Sequence, residues 1–287
     1  REEGEGCPQA ARGRSLERQD SRGPATPQRQ HAGVVRVAGR AFSSQSSLGR
    51  AALAAERLGL ELLGASAPLG TPWHYPLCDA ERRCFVGYLQ GQIDEQRARS
   101  LLRTVMDGMD ELGWDSPASS LGRISRGTKW LVARGCRCNY RYGGVNVSAA
   151  PFPAWMQEVL ATCMPLCGLA ERSSWPNSCN LNCYADGSEG IEWHADDEPL
   201  FQGQERDCRI VSLSLGEERT FELRPSAAEG PAGCRLRLGS GDLCTMEGLT
   251  QRHYEHRVPK GGGRSLRLRV NLTWRWIVAH DPRRCGL

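Results

Sequence analysis

The second half of the chain alternates apolar and polar positions over short runs, which is the pattern of half-buried β-strands. Gly and charged turn residues separate the runs CNLNCY, CRIVSLSL, RTFELR, CRLRL, DLCTME and LRLRVNLTWRWIV. Many short strands with turns of this kind are typical of an antiparallel sandwich or barrel. The sequence after Asn177 therefore predicts a β-core.

The hydrophobic pattern before this region has the period of a helix. Apolar residues recur at helical spacing over residues 94–112, and Asp94 precedes them as a plausible N-cap. A second helix is predicted over residues 153–164, ended by Pro165 and Gly168. Helices followed by strands predict an α+β fold in which helices buttress the β-core.

The first part of the chain lacks such periodicity. Residues 1–48 are rich in Gly, Arg, Gln, Ser and Pro and have few large apolar side chains, so we expect a disordered basic tail. Residues 50–63 (RAALAAERLGLELL) predict an isolated or docking helix within a linker that covers residues 49–70. The compact domain is expected to cover residues 71–287.

Charge is concentrated in this tail. The chain of 287 residues is 24% charged and 39% hydrophobic, with a formal net charge of +4. Residues 1–50 hold nine arginines and five acids, a balance of 9 − 5 = +4, so the remainder is neutral and would attract nucleic acid only through local patches. No apolar run approaches the roughly 20 residues that cross a bilayer, so we expect no membrane partner. Because the chain begins with Arg1, a preceding targeting segment stays open.

The 13 cysteines are scattered and odd in number, and no secretory segment precedes them. This favours reduced thiols in an intracellular compartment, the nucleus or cytoplasm, with the mitochondrion left open. Cys136, Cys138, Cys163 and Cys167 form a possible zinc set. Neither of its spacings is the usual C-x-x-C, and Cys163 and Cys167 fall on or just after a predicted helix, so buried apolar cysteines are favoured.

The segment LRLRVNLTWRW (266–276) has two unlike faces if it is a strand. One face is apolar from Leu266 to Trp276, and the other carries Arg267, Arg269 and Arg275. The polar face suits either a solvated edge strand or a pocket that holds an anion, since Arg binds carboxylates bidentately.

A second unusual stretch is HADDE (194–198), where His194 precedes three consecutive acids. Like charges in a row repel, so these acids form either a solvated turn or the surroundings of a positive group. The H-x-D pattern alone is a weak indication of a metal site.

Taken in order, the motifs of the second half resemble the AlkB family of iron(II) and 2-oxoglutarate-dependent dioxygenases. They are N-x-Y (Asn182, Tyr184), D-G, H-x-D-D-E, a later histidine in MEGLTQRHYEHRVPK, and R-x-N-x-T-x-R, within roughly 120–280. The resemblance implies a double-stranded β-helix (jelly-roll) core and the use of Fe(II), 2-oxoglutarate and dioxygen. It also implies oxidative demethylation of N-alkylated nucleobases, such as 1-methyladenine and 3-methylcytosine, in DNA or RNA.

The resemblance assigns roles to individual residues. The metal ligands would be His194, Asp196 and His256, the set of two histidines and one carboxylate that holds iron(II), with His253 as the competitor of His256. Arg269, assisted by Asn182, Tyr184 and Asn271, would bind the far carboxylate of 2-oxoglutarate. Arg275 would approach the metal-side carboxylate or brace Asp196.

Substrate residues follow from the same resemblance. RGTKW (126–130) and CNYRYGG (138–144) resemble the nucleotide-recognition lid, placed at about 120–150, so Arg126, Trp130, Tyr140 and Tyr142 are expected to bind substrate. Asp197 and Glu198 are expected to be catalytic residues that face an extruded, positively charged base. The partner would be single-stranded nucleic acid or a flipped-out base, and the protein is expected to be a monomer.

Three alternatives stay open. The same oxygenase chemistry would serve a methylated RNA base or a protein side chain. The chain would otherwise be a non-catalytic nucleic-acid-binding module, or a zinc protein built on the four cysteines named above.

Overall fold

The computed structural model describes residues 33–37, 39–119, 122–227, 232–261 and 266–285. The helices are α1 (Ser47–Arg57), α2 (Leu63–Ser66), α3 (Glu95–Leu112), α4 (Ala154–Cys163) and α5 (Thr250–His253), with 3₁₀ turns at Pro165–Cys167 and Arg172–Ser174. The strands are β1 (Val34–Val37), β2 (Arg40–Ser43), β3 (His74–Asp79), β4 (Cys84–Leu89), β5 (Ala118–Ser119), β6 (Gly122–Arg123), β7 (Gly127–Val132), β8 (Tyr140–Tyr142), β9 (Val145–Val147), β10 (Ala150–Pro151), β11 (Ser178–Tyr184), β12 (Ile191–His194), β13 (Cys208–Gly216), β14 (Arg219–Pro225), β15 (Arg235–Leu238), β16 (Leu243–Gly248), β17 (Tyr254–Val258) and β18 (Arg269–Arg275).

Two sheets form the core. The larger has the strand order β10-β7-β11-β18-β13-β16-β4-β3, and the smaller has the order β12-β17-β14-β15. Neighbouring strands are antiparallel except for β10 and β7. Apolar side chains of both sheets, among them Val86 and Met246 of the larger and Leu223 and Leu236 of the smaller, pack in one cluster. The result is the predicted jelly-roll sandwich.

Helices α1 to α4 cover the outer face of the larger sheet. Leu101, Val105 and Met109 of α3 share a buried cluster with Leu213 of β13 and Leu272 of β18. These α3 positions are four residues apart, so they form one helix face. The predicted helices over 94–112 and 153–164 are both present, and the expected α+β fold with a double-stranded β-helix core is confirmed.

The start of α3 is fixed by the predicted cap. The Asp94 side chain accepts a hydrogen bond of 2.7 Å from the backbone N–H of Arg97. Gly113 ends the helix with a φ of 72°, a conformation that costs glycine little. A capping side chain thus starts α3, and a glycine that tolerates a positive φ ends it.

Strand β18 lies in the middle of the larger sheet, between β11 and β13. Its apolar face, with Val270, Leu272 and Trp274, packs in the cluster that includes the helices. Its polar face is also buried, and Arg269 and Arg275 are only 1% and 4% exposed. The alternative of a solvated edge strand is therefore wrong, because β18 has a neighbour on each side and lies in a sandwich.

Residues 33–70 differ from the expected tail and linker. β1 and β2 form a hairpin, and the small side chains of Ala51, Ala52 and Ala55 let α1 pack closely into the core. The backbone N–H of Leu63 donates a hydrogen bond of 2.7 Å to Glu247 Oε2, which ties α2 to β16. The ordered domain thus includes this region, and the rest of the predicted tail lies outside the described residues.

Among the described residues, no helix combines the length and the apolar character that crossing a membrane requires.

Candidate active site

Two histidines and one aspartate lie close together on and next to strands β12 and β17 of the smaller sheet. β12 ends at His194, and register places it opposite His256 of β17, with ring centroids 4.2 Å apart. Asp196 follows β12, with one carboxylate oxygen 4.0 Å from Nε2 of His194 and the other 3.8 Å from Nε2 of His256. One ligand atom from each of these three residues lies within 4.8 Å of the other two. The alternative ligand His253 ends α5 and is outside this group.

Hydrogen bonds fix the orientation of two members of this triad. Nδ1 of His194 lies 2.8 Å from the carbonyl oxygen of Glu192, so an Nδ1–H donates there and Nε2 keeps its lone pair for a metal. The backbone N–H of Asp196 donates to Oε1 of Gln251 at 2.8 Å. The ligand atoms therefore point to a common centre.

The electrostatics keep the three ligands unprotonated. Burial raises the pKa of Asp196, but Arg275 and the two histidines outweigh burial and hold this pKa well below its usual range. Burial, together with His194 and Arg275, lowers the pKa of His256 to about 3. Metal ligands must be deprotonated, so protons do not compete for these positions at neutral pH.

Arg275 braces the carboxylate ligand. One terminal guanidinium nitrogen lies 2.5 Å from Oδ2 of Asp196, and both side chains are almost fully buried. The guanidinium also lies over Phe201, 5.3 Å from the ring centroid. A buried ion pair of this kind costs several kcal/mol to break from one side, since the remaining charge loses its partner.

Arg269 is a buried cation with unused donors. One terminal nitrogen donates to Oγ of Ser214 at 2.9 Å, while Nε and Nη1 have no hydrogen-bond partner in the described part of the chain. Burial lowers the pKa of this guanidinium from its usual value. A buried charge with unsatisfied donors calls for an anion, and a carboxylate matches the fork. The residues present therefore fit a dicarboxylate such as 2-oxoglutarate.

The neighbouring amides are each held by hydrogen bonds. Nε of Arg126 donates to Oδ1 of Asn182 at 2.8 Å. Asn271 donates through Nδ2 to Ser212 and to the Leu213 carbonyl, and accepts from Thr273. Register places Asn182 opposite Asn271 and Tyr184 opposite Arg269. The predicted cosubstrate residues thus lie on adjacent strands of one sheet.

The predicted site residues surround one cavity of about 760 Å³. Those that line it are Arg126, Tyr140, Tyr142, Asn182, Tyr184, His194, Asp196, Asp197, Glu198, His256, Arg269, Asn271 and Arg275. The triad and Arg269 therefore share a cavity with an aromatic and acidic wall.

That wall consists of the β8–β9 hairpin and the residues after Asp196. The rings of Tyr140 and Tyr142 have centroids 4.8 Å apart. Glu198 is 7% exposed, and burial with the nearby Asp196 anion raises its pKa to about 7. Asp197 is exposed and accepts a hydrogen bond of 3.1 Å from Gln204. Of the two predicted acids, Glu198 is the buried one and Asp197 lies at the rim.

Trp130 differs from its expected place in a lid. It belongs to β7 in the larger sheet and is 0% exposed. Tyr140 stacks on it at 4.7 Å, and the indole N–H donates to the carbonyl of Cys138. The Trp130 ring is therefore packed inside the protein on all sides. The prediction that Trp130 contacts substrate is not supported.

Three residues were not singled out from the sequence. Gln251 holds the Asp196 backbone, Ser214 holds Arg269, and Arg219 donates to carbonyl oxygens of the loop that contains Asp186. Ser214 lies on the inward face of β13, so strand alternation was a signal for it. For Gln251 and Arg219 the sequence carries no such signal, because their contacts are long-range.

The match with known proteins agrees with this geometry. The 2OG-Fe(II) oxygenase superfamily matches residues 85–275, which is more than half of the chain. This range includes the triad and all of the predicted cosubstrate residues. The chain belongs to the 2OG-Fe(II) oxygenase superfamily. Members use iron(II), 2-oxoglutarate and dioxygen, and the triad can form the iron site.

Several relatives carry AlkB names. Alpha-ketoglutarate-dependent dioxygenase alkB homolog 3 of Mus musculus is 39% identical over 115 residues, which cover 37% of this chain and 38% of the relative. DNA oxidative demethylase ALKBH2 of Arabidopsis thaliana is 35% identical over 123 residues, with 36% and 38% covered. ALKBH2 of Mus musculus is 30% identical, with 48% and 57% covered. The chain thus spans well under two thirds of these relatives. The predicted resemblance to the AlkB family is confirmed.

Among solved structures, the chain matches OsALKBH1 with a TM-score of 0.46 and 18% identity, over 67% of this chain and 96% of that chain. A prolyl hydroxylase from Trichoplax adhaerens in complex with a hypoxia inducible factor peptide has a TM-score of 0.43 and 11% identity, over 67% of this chain and 83% of the other.

Proposed function

We propose that the chain is an oxidative dealkylase that removes methyl groups from N-alkylated nucleobases, such as 1-methyladenine and 3-methylcytosine, in DNA or RNA. The observation that carries the proposal is a single cavity that joins the His194, Asp196 and His256 triad to a buried acid and two tyrosines. Relatives named DNA oxidative demethylase support this substrate class.

The triad would hold iron(II), and Arg269 would hold the far carboxylate of 2-oxoglutarate. When bound with dioxygen, these groups supply the oxidation that hydroxylates the N-methyl group, after which formaldehyde leaves the base. Arg275 keeps the Asp196 carboxylate in position through the buried ion pair. Asn182 and Asn271 support the cosubstrate pocket.

Glu198 is the residue proposed to meet the base. Its carboxyl group lines the cavity and is buried near the triad, where an alkylated adenine or cytosine would bring a positive charge. As a carboxylate it pairs with that charge, or it accepts a hydrogen bond from the exocyclic amine. Tyr140 and Tyr142 provide aromatic surface beside it. Because the triad lies inside the cavity, the base must be unpaired or flipped out.

The first experiment tests the cofactor site without dioxygen. Anaerobic protein with iron(II) is titrated with 2-oxoglutarate while the visible charge-transfer band of the chelate is recorded. We expect the band in the wild type and in Asp197→Ala, whose exposed carboxylate lies outside the triad, and its loss in Asp196→Ala. A folded wild type without the band would contradict the iron oxygenase proposal.

The second experiment tests the substrate. Single-stranded and double-stranded DNA and RNA oligonucleotides with one methylated base are incubated aerobically, and both formaldehyde and the restored base are measured. We expect demethylation of at least one alkylated base and none of a 5-methylcytosine control, whose ring carries no charge. Turnover of 2-oxoglutarate with no restored base in any oligonucleotide would refute the substrate class while leaving the oxygenase chemistry intact.

A further inference from the structure

Three cysteines and one histidine meet outside the cavity. Cys136 and Cys138 lie in the segment between β7 and β8, while His280 and Cys285 lie in the segment after β18. One potential ligand atom from each lies within 4.8 Å of the others. This group differs from the four-cysteine set that the sequence suggested, because Cys163 and Cys167 are buried in the separate cluster beneath the helices.

The spacing of the donor atoms fits a tetrahedral ion. Nδ1 of His280 lies 3.6 Å from the sulfur of Cys136 and 3.9 Å from that of Cys138. The sulfur of Cys285 lies 3.3 Å from that of Cys138 and 3.8 Å from that of Cys136. A tetrahedral zinc ion with Zn–S near 2.3 Å and Zn–N near 2.0 Å sets its donors about 3.5–3.8 Å apart. The observed distances bracket that range.

Backbone amides are directed at the sulfur atoms. The N–H of Cys138 donates to the sulfur of Cys136 at 3.5 Å, and the N–H of Arg137 donates to that of Cys285 at 3.4 Å. The N–H of Asp281 donates to the sulfur of Cys138 at 3.4 Å. Each of the three sulfurs thus accepts a backbone hydrogen bond. Such donors around a metal ligand fix its orientation and stabilise thiolate charge.

We propose that Cys136, Cys138, His280 and Cys285 bind one structural zinc ion. Three sulfurs and one imidazole nitrogen complete a tetrahedron and leave no open position, as in structural zinc sites. The ligand types also separate this site from the triad. Soft thiolates select zinc, whereas two histidines and a carboxylate with open positions suit iron(II).

The ion would join parts of the chain that are far apart in sequence. Cys138 lies two residues before Tyr140, the first residue of β8, which lines the cavity. Cys138 also shares an apolar cluster with Phe201 and Ile277. His280 and Cys285 come from beyond β18. Zinc would therefore fasten the segment after β18 to the wall that carries the tyrosines, and its removal would loosen that wall while leaving the triad on its strands.

The competing arrangement is a disulfide between Cys138 and Cys285. Their sulfurs are 3.3 Å apart, whereas a disulfide needs about 2.05 Å. A disulfide would also leave Cys136 and His280 without a partner for their ligand atoms. Four convergent donors therefore favour the metal.

The test measures bound metal directly. The 287-residue chain, expressed with zinc, is dialysed against a chelator that removes loosely held ions, and zinc per chain is determined by inductively coupled plasma mass spectrometry. We expect one zinc ion per chain in the wild type and its loss in Cys138→Ser and Cys285→Ser. Cys163→Ser, a buried cysteine of the other cluster, and His256→Ala, which lacks an iron ligand, should keep the zinc.

A second measurement covers variants that fail to fold. Zinc in the wild type is replaced by cobalt(II), and the spectrum is recorded for thiolate-to-cobalt charge transfer and tetrahedral ligand-field bands. Both are expected in the wild type and in His256→Ala. The proposal is overturned by a folded wild type that holds no zinc, or by zinc that is lost in His256→Ala but kept in Cys285→Ser. It is also overturned by a wild-type mass that is two hydrogen atoms lower than that of the reduced chain, with Cys138 and Cys285 cross-linked.

Discussion

The two ends of the cavity are built in different ways. At the cofactor end, Arg269 and Arg275 stand on β18, the central strand of the larger sheet, and their partners lie on adjacent strands or directly follow β12. At the other end, the proposed substrate end, Tyr140 and Tyr142 lie on the short β8–β9 hairpin, which packs on Phe201 and the segment after β18. A cofactor site common to a superfamily thus rests on the two core sheets, while the wall proposed to bind substrate rests on a short hairpin outside them.

The largest expected effect comes from breaking the buried ion pair at the cofactor end. Arg275→Met leaves Asp196 buried without its partner, so the free energy of unfolding should fall by about 3–5 kcal/mol. Urea unfolding of the metal-free protein measures it. Arg99→Met is the matched control, because its exposed ion pair with Glu95 is worth about 0.5 kcal/mol or less. Equal losses in both variants would show that burial of the pair does not matter.

Next in size is the loss of the anion fork. Arg269→Gln should weaken 2-oxoglutarate binding by about 30-fold or more, since truncating a buried, hydrogen-bonded charge pair costs about 2–5 kcal/mol. The anaerobic titration gives the dissociation constant. Arg267→Gln removes the same charge from an exposed position two residues away and should change the constant by less than about twofold. Unchanged binding in Arg269→Gln would remove Arg269 from the cosubstrate site.

Glu198, which lies between the two ends of the cavity, should make the stability of the protein depend on pH. The folded pKa of Glu198 is raised to about 7, so in metal-free protein the folded state holds the proton more tightly than the unfolded state. Its contribution to stability is therefore full below about pH 4.5 and is lost as pH rises through about 7, by about 1–3 kcal/mol in total.

Glu198→Gln should remove this slope, so the variant gains stability relative to wild type between pH 5 and pH 8. Unfolding by urea at several pH values in the presence of a chelator checks it. Glu192→Gln, an exposed acid on β12, should keep the wild-type slope. A parallel pH profile for Glu198→Gln and wild type would argue that Glu198 titrates normally.

The smallest effect is expected at the exposed edge of the substrate wall. If single-stranded nucleic acid crosses the hairpin, Arg141→Gln should weaken binding severalfold and reduce the slope of log affinity against log salt by about one. Fluorescence anisotropy with a labelled oligonucleotide measures both. Arg103→Gln, an exposed arginine on the helical side, changes the net charge equally and should leave the slope unaltered.

The same contrast explains what the sequence could predict. Strand alternation and the ordered motifs point to the triad, Arg269 and Arg275, and the structure brings all of them to one cavity. Trp130 is expected from the sequence to bind substrate but is buried in the core. The sequence pattern of an aromatic residue in a strand is the same in a pocket wall and in a core. The partners of Cys136 and Cys138 were also missed, because His280 and Cys285 come into contact only through the tertiary fold.

The N-terminal segment was misjudged for a different reason. Its Gly and Ser flanks have the composition of a linker, yet Ala51, Ala52 and Ala55 fit against the core because they are small. Hydrophobic periodicity weights large side chains and undervalues such a face. The buried hydrogen bond from Leu63 to Glu247 is likewise invisible in sequence, since the two residues are 184 positions apart.

The central position of β18 also has a consequence for how the chain reaches its folded state. Both of its neighbours, β11 and β13, precede it in the sequence. One edge of each therefore stays unpaired until β18 is available. Such long-range pairing slows folding, and open edges invite intermolecular association in the meantime. On the ribosome, the sheet therefore stays incomplete until residue 275 has left the exit tunnel, and chaperone demand should peak just before that point.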